Sequence, residues 1–183
     1  MQYRILGKTG LKVSAVGFGG IPIQRIDARG TRALMERLVE KGVNYIDTAR
    51  GYTVSESYLG EALSGGLREK FILATKSMSR GYADMARDIG ISLSNLRTDY
   101  IDLYYLHRIS EAVRLEDVAT VMGRLIQEGL IRGWGLSQVS ADQIRAAHKI
   151  TPLSAVQNIY SMVERDCETE IFPVCLEKGI GVV

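Results

Sequence analysis

The sequence predicts an α/β protein whose architecture is a (β/α)8 TIM barrel, of which this chain carries strands 1–7. Three observations predict this class. Short apolar runs recur along the chain, amphipathic helical patterns separate them, and several helical patterns end in a glycine directly before the next run. Apolar runs without polar alternation are typical of strands buried on both faces. Such strands alternating with helices indicate βα units and a parallel sheet.

The composition is that of an ordinary globular domain. The chain has 183 residues, of which 46% are hydrophobic and 24% are charged, so residues 1–183 are expected to form one domain. The 23 Lys and Arg residues nearly balance the 21 Asp and Glu residues, and they are scattered. This pattern argues against nucleic acid or a membrane surface as a partner. No leader pattern and no apolar run of ~20 residues is present, which predicts a cytoplasmic protein.

The first predicted element is a β-hairpin at residues 3–13, "YRILGKTGLKV". Its two strand-like pieces flank a Gly-Lys-Thr-Gly turn, which is a hairpin signal. Because this hairpin precedes the repeating pattern, we expect it to plug the bottom of the barrel.

Seven barrel strands and six helices follow the hairpin. The strands are predicted at "SAVGFGG", "NYIDTA", "FILATK", "YIDLYYLH", "IRGWGLS", "SAVQNIYS" and "IGVV". The helices have apolar residues at spacings of three and four: Leu34, Leu38 and Val39; Tyr58, Leu59 and Leu63; Met85, Ile89, Leu93 and Leu96; Val118, Val121, Met122 and Leu125; Ile144 and Ala147; Ile171, Val174 and Cys175. Several helices end at glycine, which suits a left-handed cap.

An open doubly wound sheet is the alternative to a barrel. A dinucleotide-binding sheet of that type carries a glycine fingerprint after its first strand. Here Gly17, Gly19 and Gly20 are present, but Pro22 stands at the position of the third fingerprint glycine. The barrel is therefore favoured. Without its C-terminal portion and eighth strand it exposes two strand edges, so we expect it either to self-associate through those edges or to remain partly disordered.

Four polar residues cluster at or just after the ends of three successive predicted strands. Asp47 ends the second barrel strand, Tyr52 follows in the next loop, Lys76 ends the third strand, and His107 ends the fourth. Barrel enzymes place their reactive groups at the C-terminal ends of strands. Since adjacent strands lie ~4.8 Å apart, we expect these four side chains to converge.

This set of residue types suits proton donation to a carbonyl. A phenol has a reference pKa of about 10 and is a poor acid at neutral pH unless its ionised form is stabilised. We expect Lys76 to lower the pKa of Tyr52, Asp47 to keep Lys76 charged, and His107 to orient the carbonyl. A tyrosine acid of this kind fits carbonyl reduction, whose hydride must come from a cofactor.

Each of these residues also has a plain structural explanation when taken singly, and only their common location favours function. His148 is predicted on a helix away from any strand end, where a structural role is preferred. Cys167 and Cys175 are predicted on one helix about 12 Å apart, too far for a disulfide. The histidines and cysteines are so separated that they offer no metal cluster.

The motifs "GKTGLKVSAVGFGG", "NYIDTARGY", "ILATK", "TDYIDLYYLH", "GLIRGWGLS" and "AVQNIYS" resemble, in order and spacing, those of the aldo-keto reductases. These are nicotinamide-dependent (β/α)8-barrel oxidoreductases that reduce aldehydes or ketones. The resemblance implies that Tyr52 is the proton donor, that Asp47 and Lys76 lower its pKa, and that His107 positions a small carbonyl substrate. It implies that Ser137, Gln138 and Gln157 contact the nicotinamide, with NADPH preferred and NADH possible.

Two parts of the sequence resemble different branches of that family, which indicates either a hybrid or ordinary divergence. The first hundred or so residues are similar to the branch that carries cysteine-rich iron-sulfur tails, and "GLSQVSADQIRAAHKITPLSAVQNIYS" is similar to another. No iron-sulfur cluster or metal is expected. Two other functions stay open: an inactive barrel fragment or regulatory and assembly subunit, and an isomerase or aldolase using Lys76 as a Schiff base. The latter is the weaker, because Asp47 would hold Lys76 charged.

Overall fold

The structure is a computed structural model, and it describes residues 1–78, 82–109 and 114–183. Its elements, in chain order, are the hairpin strands β1 (Tyr3–Ile5) and β2 (Lys12–Ser14), then β3 (Phe18–Gly19), α1 (Ala28–Glu40), β4 (Tyr45–Asp47), α2 (Ser55–Ala62), β5 (Ile72–Ser77), α3 (Tyr82–Leu96), β6 (Ile101–Leu106), α4 (Leu115–Gln127), β7 (Ile131–Ser137), α5 (Ala141–Ile150), β8 (Ala155–Gln157), α6 (Ile171–Lys178) and β9 (Gly181–Val182).

The sheet is parallel throughout and follows chain order. Its seven strands are arranged β3-β4-β5-β6-β7-β8-β9, while β1 and β2 form a separate antiparallel pair. This confirms the predicted hairpin, the six βα units and the seventh barrel strand. No helix in the described ranges is both long and apolar enough to cross a membrane.

The first barrel strand is shorter than the sequence pattern indicates. Of the predicted run at residues 14–20, only Phe18 and Gly19 pair with β4, and Val16 is 61% exposed. Ser14 belongs to the hairpin instead, and the Ala15 N–H donates to Gln2 O. An edge strand has a partner on one side only, so fewer of its residues are held in the ladder.

Two layers of core lie on the two faces of the sheet. The larger one fills the space between sheet and helices, and it includes Met35 and Trp134. The smaller one fills the barrel interior with side chains from four sheet strands and the hairpin: Leu6, Val13, Tyr45, Ala74, Leu103, Tyr105 and Ala155. Because Leu6 and Val13 come from the hairpin and pack there, the hairpin closes the N-terminal end of the barrel, as expected.

Left-handed glycines end three helices where the pattern predicts them. Gly42 follows α1 with φ +73°, Gly129 follows α4 with φ +75°, and Gly179 caps α6 with φ +72°. Only glycine adopts this conformation without steric cost. Each glycine therefore allows the chain to reverse directly into the next strand.

The prediction that both cysteines lie on one helix is wrong. Cys167 lies in a 3-10 turn at Asp166–Glu168, whereas Cys175 lies in α6, which begins only at Ile171. The Cys167 thiol donates to Ile159 O, a backbone carbonyl of the loop after β8. Both cysteines are free and buried.

Candidate active site

Asp47, Tyr52, Lys76 and His107 lie together at the C-terminal end of the sheet. Asp47 is the last residue of β4, Lys76 is the penultimate residue of β5, and His107 directly follows β6. Tyr52 lies on the loop between β4 and α2. Since the strands are parallel neighbours, their ends meet at one edge. The loop then brings the phenol over that edge.

A buried ion pair forms the base of the site. Lys76 is 2% exposed, and its Nζ donates to Asp47 Oδ2 at 2.5 Å and to Thr48 O at 2.9 Å. The pKa of Lys76 is lowered by burial, and the charge of Asp47 and their hydrogen bond oppose this shift. Asp47 therefore helps to keep the ammonium charged. Among the described residues, Asp47 Oδ1 has no hydrogen-bond partner although it is buried.

Tyr52 lies above this ion pair and beside His107. Lys76 Nζ lies 5.4 Å from the centroid of the Tyr52 ring. The Tyr52 and His107 ring centroids are 5.7 Å apart with an interplanar angle of 80°. Such edge-to-face contact is a favourable arrangement of two rings. It fixes the phenol and the imidazole relative to each other.

The pKa of Tyr52 is raised, contrary to the expectation that Lys76 would lower it. Burial is the larger cause, and the negative charge of Asp47 is the second. An isolated Lys76 charge would lower the pKa of Tyr52, but here Asp47 forms an ion pair with that charge. Tyr52 therefore keeps its proton at neutral pH in this structure, which is the form that a proton donor needs.

His107 is a half-buried imidazole whose pKa is lowered, first by burial and then by the charge of Lys76. It is therefore neutral at neutral pH, with one N–H donor and one acceptor nitrogen. Its Nδ1 is buried and has no partner within the described ranges. A neutral histidine of this kind can hydrogen-bond a ligand without adding charge to the site.

The loop that carries Tyr52 is held by contacts that sequence reasoning missed. Thr53 has φ +42°, a strained conformation for a β-branched residue. Its hydroxyl donates to Gln24 Oε1 at 2.6 Å, and the Ser55 hydroxyl donates to Gly20 O at 3.0 Å. Both contacts tie the loop to the segment after β3. Nothing local in the sequence pairs these residues, which are some 30 positions apart.

Glu56 is a further residue that sequence reasoning missed. It is buried behind the site, where it accepts from Thr75 Oγ1 at 2.7 Å and from Asn95 Nδ2 at 3.2 Å. These bonds join α2 to β5 and α3. Thr75 precedes Lys76, so Glu56 helps to fix the strand end that carries the ammonium. An acidic residue on the buried face of α2 was the available sequence signal.

Ser137, Gln138 and Gln157 lie at the ends of β7 and β8. Ser137 and Gln157 are register partners, and the Gln138 N–H donates to Gln157 O at 3.1 Å. Gln138 has φ +57°, which directs the chain out of β7. In the described part of the chain, the side chains of Ser137 and Gln157 have no hydrogen-bond partner, so both remain available to a ligand.

One cleft contains residues of both groups, the one around Tyr52 and the one at the ends of β7 and β8. It has a volume of about 960 Å³ and is lined by six of the seven predicted site residues, namely Tyr52, Lys76, His107, Ser137, Gln138 and Gln157. Asp47 lies behind Lys76 and does not line the cleft. Groups of His, Cys, Asp and Glu that could hold a metal ion are absent from the described residues. His148 lies elsewhere, where its Nδ1 accepts from the Leu153 N–H at 3.0 Å.

Comparisons with known proteins show the family of this chain. Residues 15–183 match the family model of the Aldo/keto reductase family. The chain is 37% identical over 199 residues to "Probable aldo-keto reductase 1" of Glycine max, which covers 97% of this chain and 57% of that protein.

A solved structure shows the same likeness. The chain is similar to the aldo-keto reductase AKR11C1 from Bacillus halodurans in its holo form, with a TM-score of 0.91 and 34% identity. The match covers 100% of this chain and 65% of that one. The chain thus spans less than two thirds of the length of both relatives. The chain belongs to the aldo/keto reductase family.

Proposed function

We propose that this chain carries the catalytic centre of a nicotinamide-dependent oxidoreductase that reduces aldehyde or ketone carbonyls to alcohols. The observation that carries the proposal is that Tyr52 lies against His107 and near the Lys76 ammonium in one cleft, with Asp47 paired to Lys76 behind them. Membership of the aldo/keto reductase family supports it.

We infer that the cleft holds a nicotinamide cofactor, and the resemblance to the family favours NADPH. An amide-bearing ring needs a donor and an acceptor in its plane, and Gln157 with Ser137 offers both. Their side chains are without partners in the described residues, and they lie in the same cleft as Tyr52. We assign Ser137, Gln138 and Gln157 to this contact. When bound, such a cofactor supplies a hydride to the carbonyl carbon.

The side chains of the site then handle the proton. The carbonyl oxygen accepts from the Tyr52 hydroxyl and from a His107 N–H, and Tyr52 gives up its proton to that oxygen. The phenolate left behind is stabilised by the Lys76 ammonium, whose Nζ lies 5.4 Å from the centre of the ring. Asp47 holds this ammonium in place at 2.5 Å. Positioned general acids contribute about 10²–10⁴-fold to rate.

A Schiff-base function for Lys76 is less well supported. The nucleophilic form of a lysine is the neutral amine, and a lysine reaches it by desolvation without a counter-ion. Here the ion pair with Asp47 and the bond to Thr48 O favour the ammonium.

Cofactor binding and turnover test the proposal separately. NADPH binding is followed by the fluorescence of the nicotinamide itself, because Trp134 is fully buried between sheet and helices and its Nε1 donates to Pro152 O at 3.1 Å. We expect saturable binding to the parent chain and to Tyr52→Phe, and a drop in carbonyl reduction of about 10²–10⁴-fold in Tyr52→Phe.

Tyr160→Phe is the matched control. Tyr160 lines the same cleft, but its hydroxyl donates to Glu168 Oε1 at 2.6 Å. This variant should keep both binding and turnover near the parent values. Reduction by Tyr52→Phe at the parental rate would refute the assigned proton donor, and absence of NADPH binding by the parent would refute the cofactor site.

A further inference from the structure

An arginine directly follows the histidine of the candidate active site. Arg108 comes after His107 at the end of β6, and it lines the same cleft as Tyr52 and His107. The His107 N–H donates to Ser77 O at 2.8 Å, so the backbone that leads to Arg108 is still held by the sheet. The Arg108 side chain therefore borders the place where the carbonyl is proposed to bind.

The fold does not use the side chain of Arg108. It is exposed, and within the described ranges it forms no ion pair, hydrogen bond or ring contact. Other exposed arginines differ, because Arg87, Arg114 and Arg165 each pair with a carboxylate three residues away. An arginine side chain keeps its charge in a protein. Arg108 thus presents a permanent positive charge that is available to a ligand.

The other side chains of the cleft do not neutralise this charge. Lys76 is the other charged side chain that lines the cleft, and Asp47 already pairs with it. Among the described residues, no aspartate or glutamate lines the cleft. The pKa of His107 is lowered by burial and by Lys76, and the charge of Arg108 lowers it further. The cleft beside His107 therefore attracts negative charge.

Arg108 lies on the side of the cleft where the substrate is expected, away from the assigned cofactor contacts. Ser137 and Gln157 lie at the ends of β7 and β8, whereas Tyr52 follows β4 and Arg108 follows β6. Because Arg108 is the next residue after His107, an anion bound there belongs to the molecule whose carbonyl contacts His107. The positive charge is thus placed to recognise the substrate.

Apolar side chains line the cleft next to Arg108. Met78, which follows β5, is 57% exposed, and Ile109 directly follows Arg108. They offer apolar contact to the body of a ligand. The guanidinium offers two parallel N–H donors, the geometry that suits a carboxylate. Its single positive charge matches a carboxylate better than it matches a doubly charged phosphate.

We propose that Arg108 is a specificity residue that selects aldehydes or ketones carrying a carboxylate on an apolar spacer. The carboxylate accepts from the Arg108 guanidinium, the spacer lies against Met78 and Ile109, and the carbonyl lies between Tyr52 and His107. This inference rests on the proposed function, because it assigns the carboxylate to the carbonyl substrate.

Two aldehydes that differ only at the end remote from the carbonyl test the proposal by turnover. They are 4-carboxybenzaldehyde and 4-methylbenzaldehyde, and the readout is the ratio of their kcat/KM values. We expect this ratio to fall about 3–10-fold in Arg108→Gln, because a charge-assisted contact open to solvent is lost. Arg108→Lys keeps the charge but not the paired donors, so its ratio should lie between the two.

Arg87→Gln is the matched control. It removes the same charge from α3, where Arg87 is exposed and does not line the cleft. Its ratio should equal that of the parent. Raising NaCl from about 0.05 M to about 0.5 M should lower the parental ratio, because salt screens exposed charges.

Binding of the corresponding alcohols tests the same contact without hydride transfer. 4-Carboxybenzyl alcohol and 4-methylbenzyl alcohol are titrated into the chain with ¹³Cε1-labelled histidine and followed by NMR. The chain has two histidines, so His148→Gln assigns the resonance of His107. We expect the parent to bind the carboxylated alcohol more tightly, and this preference to be lost in Arg108→Gln.

The two readouts separate failure of this inference from failure of the proposed function. A binding preference that depends on Arg108, without reduction of either aldehyde, would support the carboxylate contact and contradict the reductase function. Reduction with the same ratio in the parent and Arg108→Gln would leave that function standing and overturn the inference.

Two further results would overturn the inference. One is a parent chain that binds the carboxylated alcohol no more tightly than the methyl compound. The other is weaker NADPH binding by Arg108→Gln than by Arg87→Gln, which would assign Arg108 to a phosphate of the cofactor instead.

Discussion

The electrostatics of Tyr52 depend on one ion pair. Lys76 and Asp47 lie 2.5 Å apart, so the phenol meets a nearly neutral pair. Burial is therefore the main reason that the pKa of Tyr52 is raised, and the negative charge of Asp47 raises it further. A tyrosine in this state holds its proton at neutral pH. Under the proposed function, it gives that proton up only as charge develops on a carbonyl oxygen beside it.

Replacing Asp47 tests this balance. In Asp47→Asn we expect the pKa of Tyr52 to fall, because the carboxylate charge that raises it is gone. The measurement is a pH titration of ¹³Cζ-labelled tyrosine by NMR, with Tyr52→Phe assigning the resonance. Asp84→Asn, at an exposed carboxylate on α3, is the control and should leave the titration unchanged. A pKa that stays constant or rises in Asp47→Asn would contradict the prediction.

At the scale of elements, α2 and α3 approach each other through a glycine. Gly60 of α2 is buried, and a Cβ added there would lie 2.0 Å from Asn95 O at the end of α3. Glu56, one turn earlier on α2, also reaches Asn95. The close approach of these helices thus supports the contact that fixes Thr75, next to Lys76.

Two glycine-to-alanine variants compare a packed position with an open one. Gly60→Ala should lower the free energy of unfolding by about 1–3 kcal/mol, because the helices must separate. Gly90 is an exposed residue of α3 with no atom within 4 Å of its Cβ position, so Gly90→Ala should raise that free energy by about 0.5–1 kcal/mol. Urea unfolding measures both changes. Equal stability of the two variants would rule out the proposed packing constraint.

For the whole molecule, the N-terminal face of the barrel is a meeting point of several elements. His148 near the end of α5 accepts from the Leu153 N–H at 3.0 Å. Its pKa is lowered by burial first, then by Lys178 of α6 and Lys8 of the hairpin. These charge interactions involve the hairpin, α5 and α6 at the face opposite the candidate active site. Protonation of His148 would therefore weaken the packing of these three elements.

The lowered pKa of His148 sets how the folding stability depends on pH. The pKa of His148 is lower in the folded chain than its ordinary value of 6.5, so the unfolded chain binds more protons as the pH falls below 6.5. Folding stability should fall in that range by up to the ~1 kcal/mol of one hydrogen bond. Urea unfolding of the parent and of His148→Gln, above and below pH 6.5, checks this. An equally steep loss in both would assign the acid sensitivity to other groups.

Much of the fold and of the site follows from the sequence for a local reason. Apolar runs, helical stripes and left-handed glycines each involve residues a few positions apart, so the pattern alone predicts the element order. Asp47, Lys76 and His107 follow because neighbouring parallel strands must end at the same edge. The prediction of one helix over Cys167 and Cys175 was wrong. The thiol of Cys167 donates to Ile159 O, which lies outside the turn that contains Cys167, and a local pattern does not show such a contact.

The sequence by itself therefore determined the hairpin, the order of the seven parallel strands and the location of the candidate site. The tertiary structure alone decided the direction of the Tyr52 pKa, the contact of Thr53 with Gln24 and the buried bonds of Glu56. The physical reason is that burial, electrostatics and strand-edge geometry depend on groups from several elements at once, and their distances are set only when those elements pack.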